Sequence, residues 1–355
     1  MKKKAFFALS VLLAVLISTL CFQGSQGTAY AGPKTYEWKL SIWGSSRAMT
    51  KAAEWWANEM EKRTNGRFKV KWGWGNVLAK QTENLMGIKT GLFEMGAFCP
   101  GFSPAQLPLA ELVELPFMGG TNVLHESRLE YAMAQHPALV KEAEQRWNAK
   151  YLLPFGHPPY EFMGNKRFEK VEDLKGLRVR TSPLVGRAFE KFGAVPVATP
   201  TADLYTAVER GMVDLAAFPW SYTFGSFKIY EVSKYATIGI DMGSYFCAVY
   251  VSKTAWDSLP DDIKAIHDEL MKDYNKVVDK YNEEADQKWI PIFKKAGVEI
   301  ITLPPAEKDK LMEGASDLYE AAIKDKEAKG LPAREVFEHL KALRKKVLAG
   351  EVPYR

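Results

Sequence analysis

At 355 residues with 47% hydrophobic side chains, the chain is long enough for two modest domains, each able to bury its own core. Its 48 basic and 43 acidic residues leave a net charge of +5. Three of the lysines stand in what reads as a removable leader, so the remainder is nearly neutral and excludes a nucleic-acid-binding surface.

Lys2, Lys3 and Lys4 precede an apolar run from Ala5 to Phe22, and a polar stretch then ends in Ala29-Tyr30-Ala31. That order predicts a secretory signal peptide over residues 1–31, cleaved after Ala31, and hence a periplasmic protein. An uncleaved anchor is the alternative for a run of this length. Leu20 precedes Cys21 where lipidation wants a small residue, so no lipoprotein is expected. Two cysteines remain, Cys99 and Cys247. They could pair, but a domain of this size does not need the bond, and the expectation is two free, buried thiols.

Tyr36 to Trp43 alternates Trp38, Leu40 and Ile42 on one face, as a strand should. Ser45 and Ser46 offer N-caps, and Ala53, Trp56, Ala57 and Met60 follow at helical spacing until Asn65-Gly66. Phe68, Val70 and Trp72 resume a period of two. This strand, helix and strand form the crossover unit of a parallel sheet. Trp72-Gly-Trp-Gly75 lacks the lysine and hydroxyl of a phosphate loop and reads as a strand end.

A near-repeat then sets Ile88-Lys-Thr-Gly-Leu-Phe-Glu-Met-Gly-Ala-Phe98 against Val208-Glu-Arg-Gly-Met-Val-Asp-Leu-Ala-Ala-Phe218. Each copy reads as helix, glycine C-cap, buried strand and exit before a proline. Unless two ordinary helix-strand units coincide, the chain has two similar lobes. Sheets of this type bind ligands beyond the carboxyl ends of their strands, which would set Phe98 and Phe218 on opposite walls of a cleft. The second lobe begins near Tyr160, with a strand at Leu177 to Thr181 and helices at Leu184 to Phe192 and Ala202 to Arg210. A strand-like run covers Tyr245 to Val251. Beyond Trp256, a helical stripe of Ile263, Ile266, Leu270, Tyr274, Val277 and Tyr281 predicts one helix from Asp261 to about Trp289, ended by Pro291. Unbroken, it would be roughly 40 Å long and could span both lobes as a spine.

Asp173-Leu-Lys-Gly-Leu-Arg-Val-Arg180, Phe192-Gly-Ala-Val-Pro196, Asp203-Leu-Tyr205, Gly211-Met-Val-Asp214 and Lys228-Ile-Tyr-Glu-Val-Ser-Lys-Tyr235 follow in that order. Together they resemble the extracytoplasmic solute-binding proteins of tripartite ATP-independent periplasmic (TRAP) transporters, of the type named for dicarboxylate uptake. Ser103 to Phe117, with prolines before Glu-Leu-Pro-Phe, extends the resemblance to essentially the whole mature chain. It implies an α/β, two-lobed periplasmic binding protein fold with hinge strands and a long spine helix. Lobe I would hold residues 32–157 plus about 246–285, and lobe II residues 158–245 plus about 286–355. The protein would close on an organic acid and deliver it to TRAP membrane permease subunits. No catalysis or cofactor is implied, and a monomer is expected.

Arg180 is the first candidate for the ligand. It sits at the carboxyl end of its strand, where a guanidinium offers a planar fork to a carboxylate or sulfonate. In the family, the arginine of this Gly-x-x-x-Arg run clamps the ligand's carboxylate. The second arginine of sugar-acid binders is replaced here by Tyr160. The Glu-Asn or Glu-Trp pair of many relatives is replaced by Ala217-Phe218, which removes a cation ligand, so no metal is expected. Trp43, Phe98, Cys99, Tyr160, Phe218, Trp220 and Tyr222 would surround Arg180 as an apolar, aromatic-rich pocket. Gln81 and Thr201 complete the candidate set. Lys80 and Glu83 lie in a region that contacts ligands in relatives, though solvated loop residues are the plainer reading. Asp203 and Tyr205 match the family's acidic-x-Tyr motif, and Asp203 reads better as a helix-end charge.

Such walls suit an aromatic or apolar monocarboxylate, such as an aryl or indolyl acid, better than a polyhydroxylated one. The rival is a very small acid or a sulfonate, with the aromatics shrinking the cavity or packing the core. His125, His136, His157, His267 and His339 show no metal-ligand pairing, and no Gly-x-Ser-x-Gly elbow occurs. A secreted acyl-transfer enzyme would need its nucleophile and base brought together from distant positions. A membrane sensor, in place of the permease, would use the same binding fold.

Overall fold

Trp38, Leu40 and Ile42 are all buried, as the alternation in the first strand requires. The structure, a computed structural model, describes residues 34–243 and 245–352, so the predicted signal peptide lies outside the described residues. The strands are β1 (Tyr36–Ser41), β2 (Phe68–Gly73), β3 (Met95–Phe98), β4 (Ala149–Pro154), β5 (Tyr160–Gly164), β6 (Arg178–Arg180), β7 (Val195–Val197), β8 (Leu215–Pro219), β9 (Tyr235–Ile238), β10 (Ala248–Ser252) and β11 (Glu299–Thr302). They form two sheets, one in the order β2-β1-β3-β10-β4 and the other β11-β9-β5-β8-β6-β7.

The two sheets share a plan. In the first, β1 lies parallel between β2 and β3, and β10 runs antiparallel to β3. In the second, β6 lies parallel between β7 and β8, and β5 runs antiparallel to β8. The near-repeat supplies β3 and β8, each preceded by a glycine with positive φ, Gly91 at 73° and Gly211 at 64°, the left-handed turn that ends a helix. Ser41 pairs with Gly96 as Arg180 pairs with Ala216. These registers make Arg180 the counterpart of Ser41 at the end of the central parallel strand.

Besides the long return from β10 to β11, two short connections cross between the sheets, β4 to β5 through residues 155–159 and β9 to β10 through residues 239–247. Buried carboxylates pin both. Glu130 accepts from the Gly156 N–H at 3.2 Å, and Glu114 accepts from Gly101 and Phe246 at 3.0 and 3.1 Å. Glu161 accepts from Gly239, Ile240 and Asp241. Cys99 and Cys247 form a disulfide, correcting the expectation of two free thiols. Ala248 pairs with Phe98 in the antiparallel ladder, so the next residues outward, Cys247 and Cys99, stand face to face.

The spine helix runs Asp261–Lys295, about 50 Å at 1.5 Å per residue. It packs on the helices Ala48–Arg63 and Val123–Met133 beside the first sheet and on the helix Tyr222–Ser226 beside the second. Pro291 lies inside it and does not end it. Proline's φ is itself helical, and the last turn is held by Phe293, whose ring packs on Trp220, Tyr230 and Trp289. The buried stripe is offset from the purely apolar one. It passes through His267, Asn275, Val278 and Asn282, because Trp56 donates to His267 Nδ1 at 3.2 Å and Ser127 bonds Asn275. The helix Pro305–Glu327 packs on Pro183–Glu190, and the helix Ala333–Leu348 on Val123–Met133.

Candidate ligand site

Strand β6 is only three residues long, and its two arginines part company. Arg178 is half-exposed and forked onto Asp214, with Nε to Oδ2 and Nη2 to Oδ1 both 2.9 Å. Arg180 is 2% exposed. Its Nε donates to the Thr199 carbonyl at 3.1 Å, Nη1 to the Ala217 carbonyl at 3.3 Å and Nη2 to Thr201 Oγ1 at 3.2 Å. Among the described residues no carboxylate reaches it within ion-pair distance. Burial lowers its pKa, yet a guanidinium stays charged. The group lies 4.5 Å from the Phe218 ring centroid and 6.0 Å from that of Phe102, within cation–π range.

Tyr160 and Tyr245 complete this wall. Their rings meet edge to face at 4.7 Å, and Phe102 stacks on Tyr245 at 4.7 Å. Burial raises both phenol pKa values, so the hydroxyls are neutral donors at physiological pH. A cavity of about 10 Å³ lies beside them, lined also by Glu114, Thr181, Val185 and Met242. That is room for about one water, so entry of an organic acid beside these two rings requires the walls to move apart.

A second guanidinium, Arg47, stands at this site, and nothing in the sequence singled it out. The helix expected to start from a Ser45 or Ser46 cap starts instead after Arg47, whose backbone is extended, with φ −157°. Thr50 Oγ1 accepts from the Arg47 N–H at 3.0 Å, while Ser46 turns away to Glu54. Arg47 is 6% exposed. Its Nη1 donates to the carbonyls of Trp43 and Ser45 at 3.1 and 2.8 Å, and Nη2 lies 3.6 Å from Met49 Sδ. Its charge acts on Tyr222, whose hydroxyl lies 2.9 Å from His157 Nδ1. Burial first, and then Arg47, pushes His157 down to about 3, so its imidazole is neutral at any physiological pH.

The other sequence candidates divide. Trp43 lies 5.7 Å from the Arg47 guanidinium carbon and edge-on to Phe155, and Tyr222 joins this group. Phe218 and Thr201 join Arg180. Phe98 does not. Met95, Ala97 and Cys99 enter the core that includes Tyr160 and Phe218, so alternation sends Phe98 to the opposite face, edge-on to Tyr250 at 6.2 Å among Leu85, Ile88 and Leu107. Cys99 is consumed by its disulfide. Trp220 packs on Phe224 and Phe293 and lines an outer groove with Pro159 and Glu161. Gln81 has a buried Nε2 without a hydrogen-bond partner. Lys80, Glu83 and Asp203 are exposed, and Tyr205 is half-buried. Tyr245, Phe102 and His157 were missed. Only packing brings them to Arg180 and Arg47.

Two lobes joined by crossing connections and a spine helix, with buried cations between them, define a two-lobed solute-binding protein. The chain belongs to the bacterial extracellular solute-binding protein family 7, the DctP family of TRAP transporters, whose sequence profile matches residues 41–325. It is 24% identical over 357 residues to the monocarboxylate 2-oxoacid-binding periplasmic protein of a Nostoc species, covering 96% of this chain and 93% of the relative. A TRAP solute-binding protein from Rhodoferax ferrireducens, in complex with copurified benzoate, superposes with a TM-score of 0.77 at 22% identity, over 89% of this chain and 99% of that one. A marine metagenome TRAP protein specific for aromatic acid ligands, in complex with 3-hydroxybenzoate, gives 0.75 at 22% identity over the same shares. These likenesses establish the fold.

Proposed function

We propose that the protein captures an organic acid with an aromatic or apolar body, in its simplest form a monocarboxylate, and hands it to a TRAP permease. The observation that carries this reading is the Arg180 guanidinium, buried without an acid and flanked by Phe218 and Phe102. A carboxylate would supply the missing countercharge through charge-assisted hydrogen bonds, and the flanking rings would take a flat body. Relatives of this fold that hold benzoate and 3-hydroxybenzoate support it. The narrow cavity favours a second reading, a small acid or sulfonate with the aromatics as filling.

The protein would reach the periplasm by cleavage after Ala31 and act as a monomer. Lobe I is assigned residues 32–157 with about 246–285, and lobe II residues 158–245 with the rest, except that the helix Ala333–Leu348 packs on lobe I elements and belongs there.

Thermal melting against aryl acids, small aliphatic acids, sulfonates and sugar acids tests the reading, with Arg180→Ala as control. A ligand at a hundred times its dissociation constant adds about 2.7 kcal/mol. Aryl-acid shifts that vanish in Arg180→Ala support it. Hits confined to small acids or sulfonates select the second reading, and hits only among sugar acids overturn both.

A further inference from the structure

The Arg180 wall does not account for Arg47. Both guanidiniums are nearly sealed, at 2% and 6% exposed, and neither has a carboxylate within ion-pair distance among the described residues. The acid closest in influence to Arg47 is Glu54, but its carboxylate is committed to Ser46, Thr50 and Lys51. Glu114, beside the Arg180 wall, accepts from the Gly101 and Phe246 N–H groups through Oε1 alone, makes no ion pair with Arg180, and is pushed by burial above the carboxylate range, toward its neutral form. His157 and Tyr222 next to Arg47 are neutral, as are Tyr160 and Tyr245 next to Arg180. Tyr160 links the two groups: it follows His157, which bonds Tyr222, by three residues, and it pairs with Pro219, next to the Phe218 ring under Arg180, so one region holds two positive charges without a paired carboxylate.

Each guanidinium also keeps donors in hand. Of the five N–H groups such a side chain carries, the contacts above engage three on Arg180 and three on Arg47. Two remain on each. A ligand with one carboxylate satisfies Arg180 and leaves Arg47 charged and buried without an anion, the costly arrangement.

We infer that Arg47 is a second anion anchor, and that the ligand is a two-headed acid whose aromatic or apolar body carries a second anionic or strongly accepting group opposite the carboxylate held by Arg180. The inference rests on the proposed function and narrows its substrate class. Trp43, 5.7 Å from Arg47, walls the second end as Phe218 walls the first.

Calorimetric titration of the mature protein with benzoate, benzene-1,4-dicarboxylate and 4-sulfobenzoate tests it in wild type, Arg47→Met and Arg47→Lys. The wild type is expected to bind at least one two-headed probe about tenfold or more tighter than benzoate. Arg47→Met should bring that ratio near one, and Arg47→Lys, which keeps the charge but loses the fork, should reduce it several-fold. The lysine variant carries the test if the methionine variant fails to fold. Pentanedioate against butanoate separates the two readings. A diacid preference confined to this aliphatic pair and lost in Arg47→Met ends the aromatic reading and keeps the second anchor. Equal affinity for one- and two-headed acids in both series, a preference that survives both Arg47 variants, or no binding of any two-headed probe overturns the inference.

Discussion

The Arg180 guanidinium carbon stands 4.5 Å from the centroid of the Phe218 ring, and that ring is itself stacked on Phe227 at 6.1 Å. The cation is therefore positioned by an aromatic pair as well as by its hydrogen bonds. Phe218→Leu keeps apolar volume and removes the π face. It should weaken an aryl-acid ligand by about 1–2 kcal/mol through the lost ring contact and the looser guanidinium. Calorimetry on a variant with near-native melting checks this. Unchanged affinity would reduce Phe218 to wall packing.

Glu126 is fully enclosed, and burial first of all pushes its pKa up to about 8. Burial likewise raises Glu114 and Glu130 above the carboxylate range. Between the unfolded value near 4.5 and the folded value, the native state holds a proton that the unfolded chain has lost. Stability from such a group is therefore full below about pH 4.5 and falls as pH rises toward 8, by at most about 1.4 kcal/mol per pH unit for each group. Urea unfolding should show lower stability at pH 8 than at pH 5.5, with a shallower slope in Glu126→Gln. A slope unaffected by Glu126→Gln would mean the carboxyl is ionised in the native state.

The Cys99–Cys247 bond closes a loop of 148 residues and ties the end of β3 to the crossover leading into β10. Removing both sulfurs by a Cys99→Ser, Cys247→Ser double substitution should cost about 2–5 kcal/mol, read from urea unfolding. A thiol assay on denatured mature protein should find none. Two titratable thiols there would show that the bond does not form.

Local periodicity carried much of this architecture. Alternation in β1, the glycine-capped repeat that became β3 and β8, and the motif around Arg180 are all short-range signals. What escaped was non-local. The disulfide depends on the register of β10 against β3, strands about 150 positions apart. Analogy with Phe218 points Phe98 into the cleft, but Met95, Ala97 and Cys99 take the inward face and alternation turns Phe98 away from it. Arg47 stayed hidden because arginine is not a capping residue and serine stands twice before it. Its placement requires Gly44, where a Cβ would sit 2.8 Å from Arg47 Nη1. Pro291 was overruled by the aromatic packing of Phe293.

Glu161 holds the second crossover by accepting from Gly239 at 3.1 Å, Ile240 at 3.0 Å and Asp241 at 3.4 Å, where Gly239 and Asp241 both carry positive φ. Those three N–H groups converge on one carboxyl as the chain leaves the second sheet for the first, so opening of the lobes should bend the crossing segments outside this clamp, residues 155–159 and the return from β10 to β11 among them. Glu161→Ala would leave buried donors without an acceptor and should cost about 2–4 kcal/mol, with a smaller loss in Glu161→Gln, which keeps one acceptor oxygen. Urea unfolding measures both. Small-angle scattering should show the wild type contracting when a bound acid closes the lobes, and the contraction should persist in Glu161→Gln if the carboxyl clamps the crossover without being the moving part. No contraction in the wild type would count against lobe closure, and a contraction lost only in Glu161→Gln would make this crossover the hinge itself.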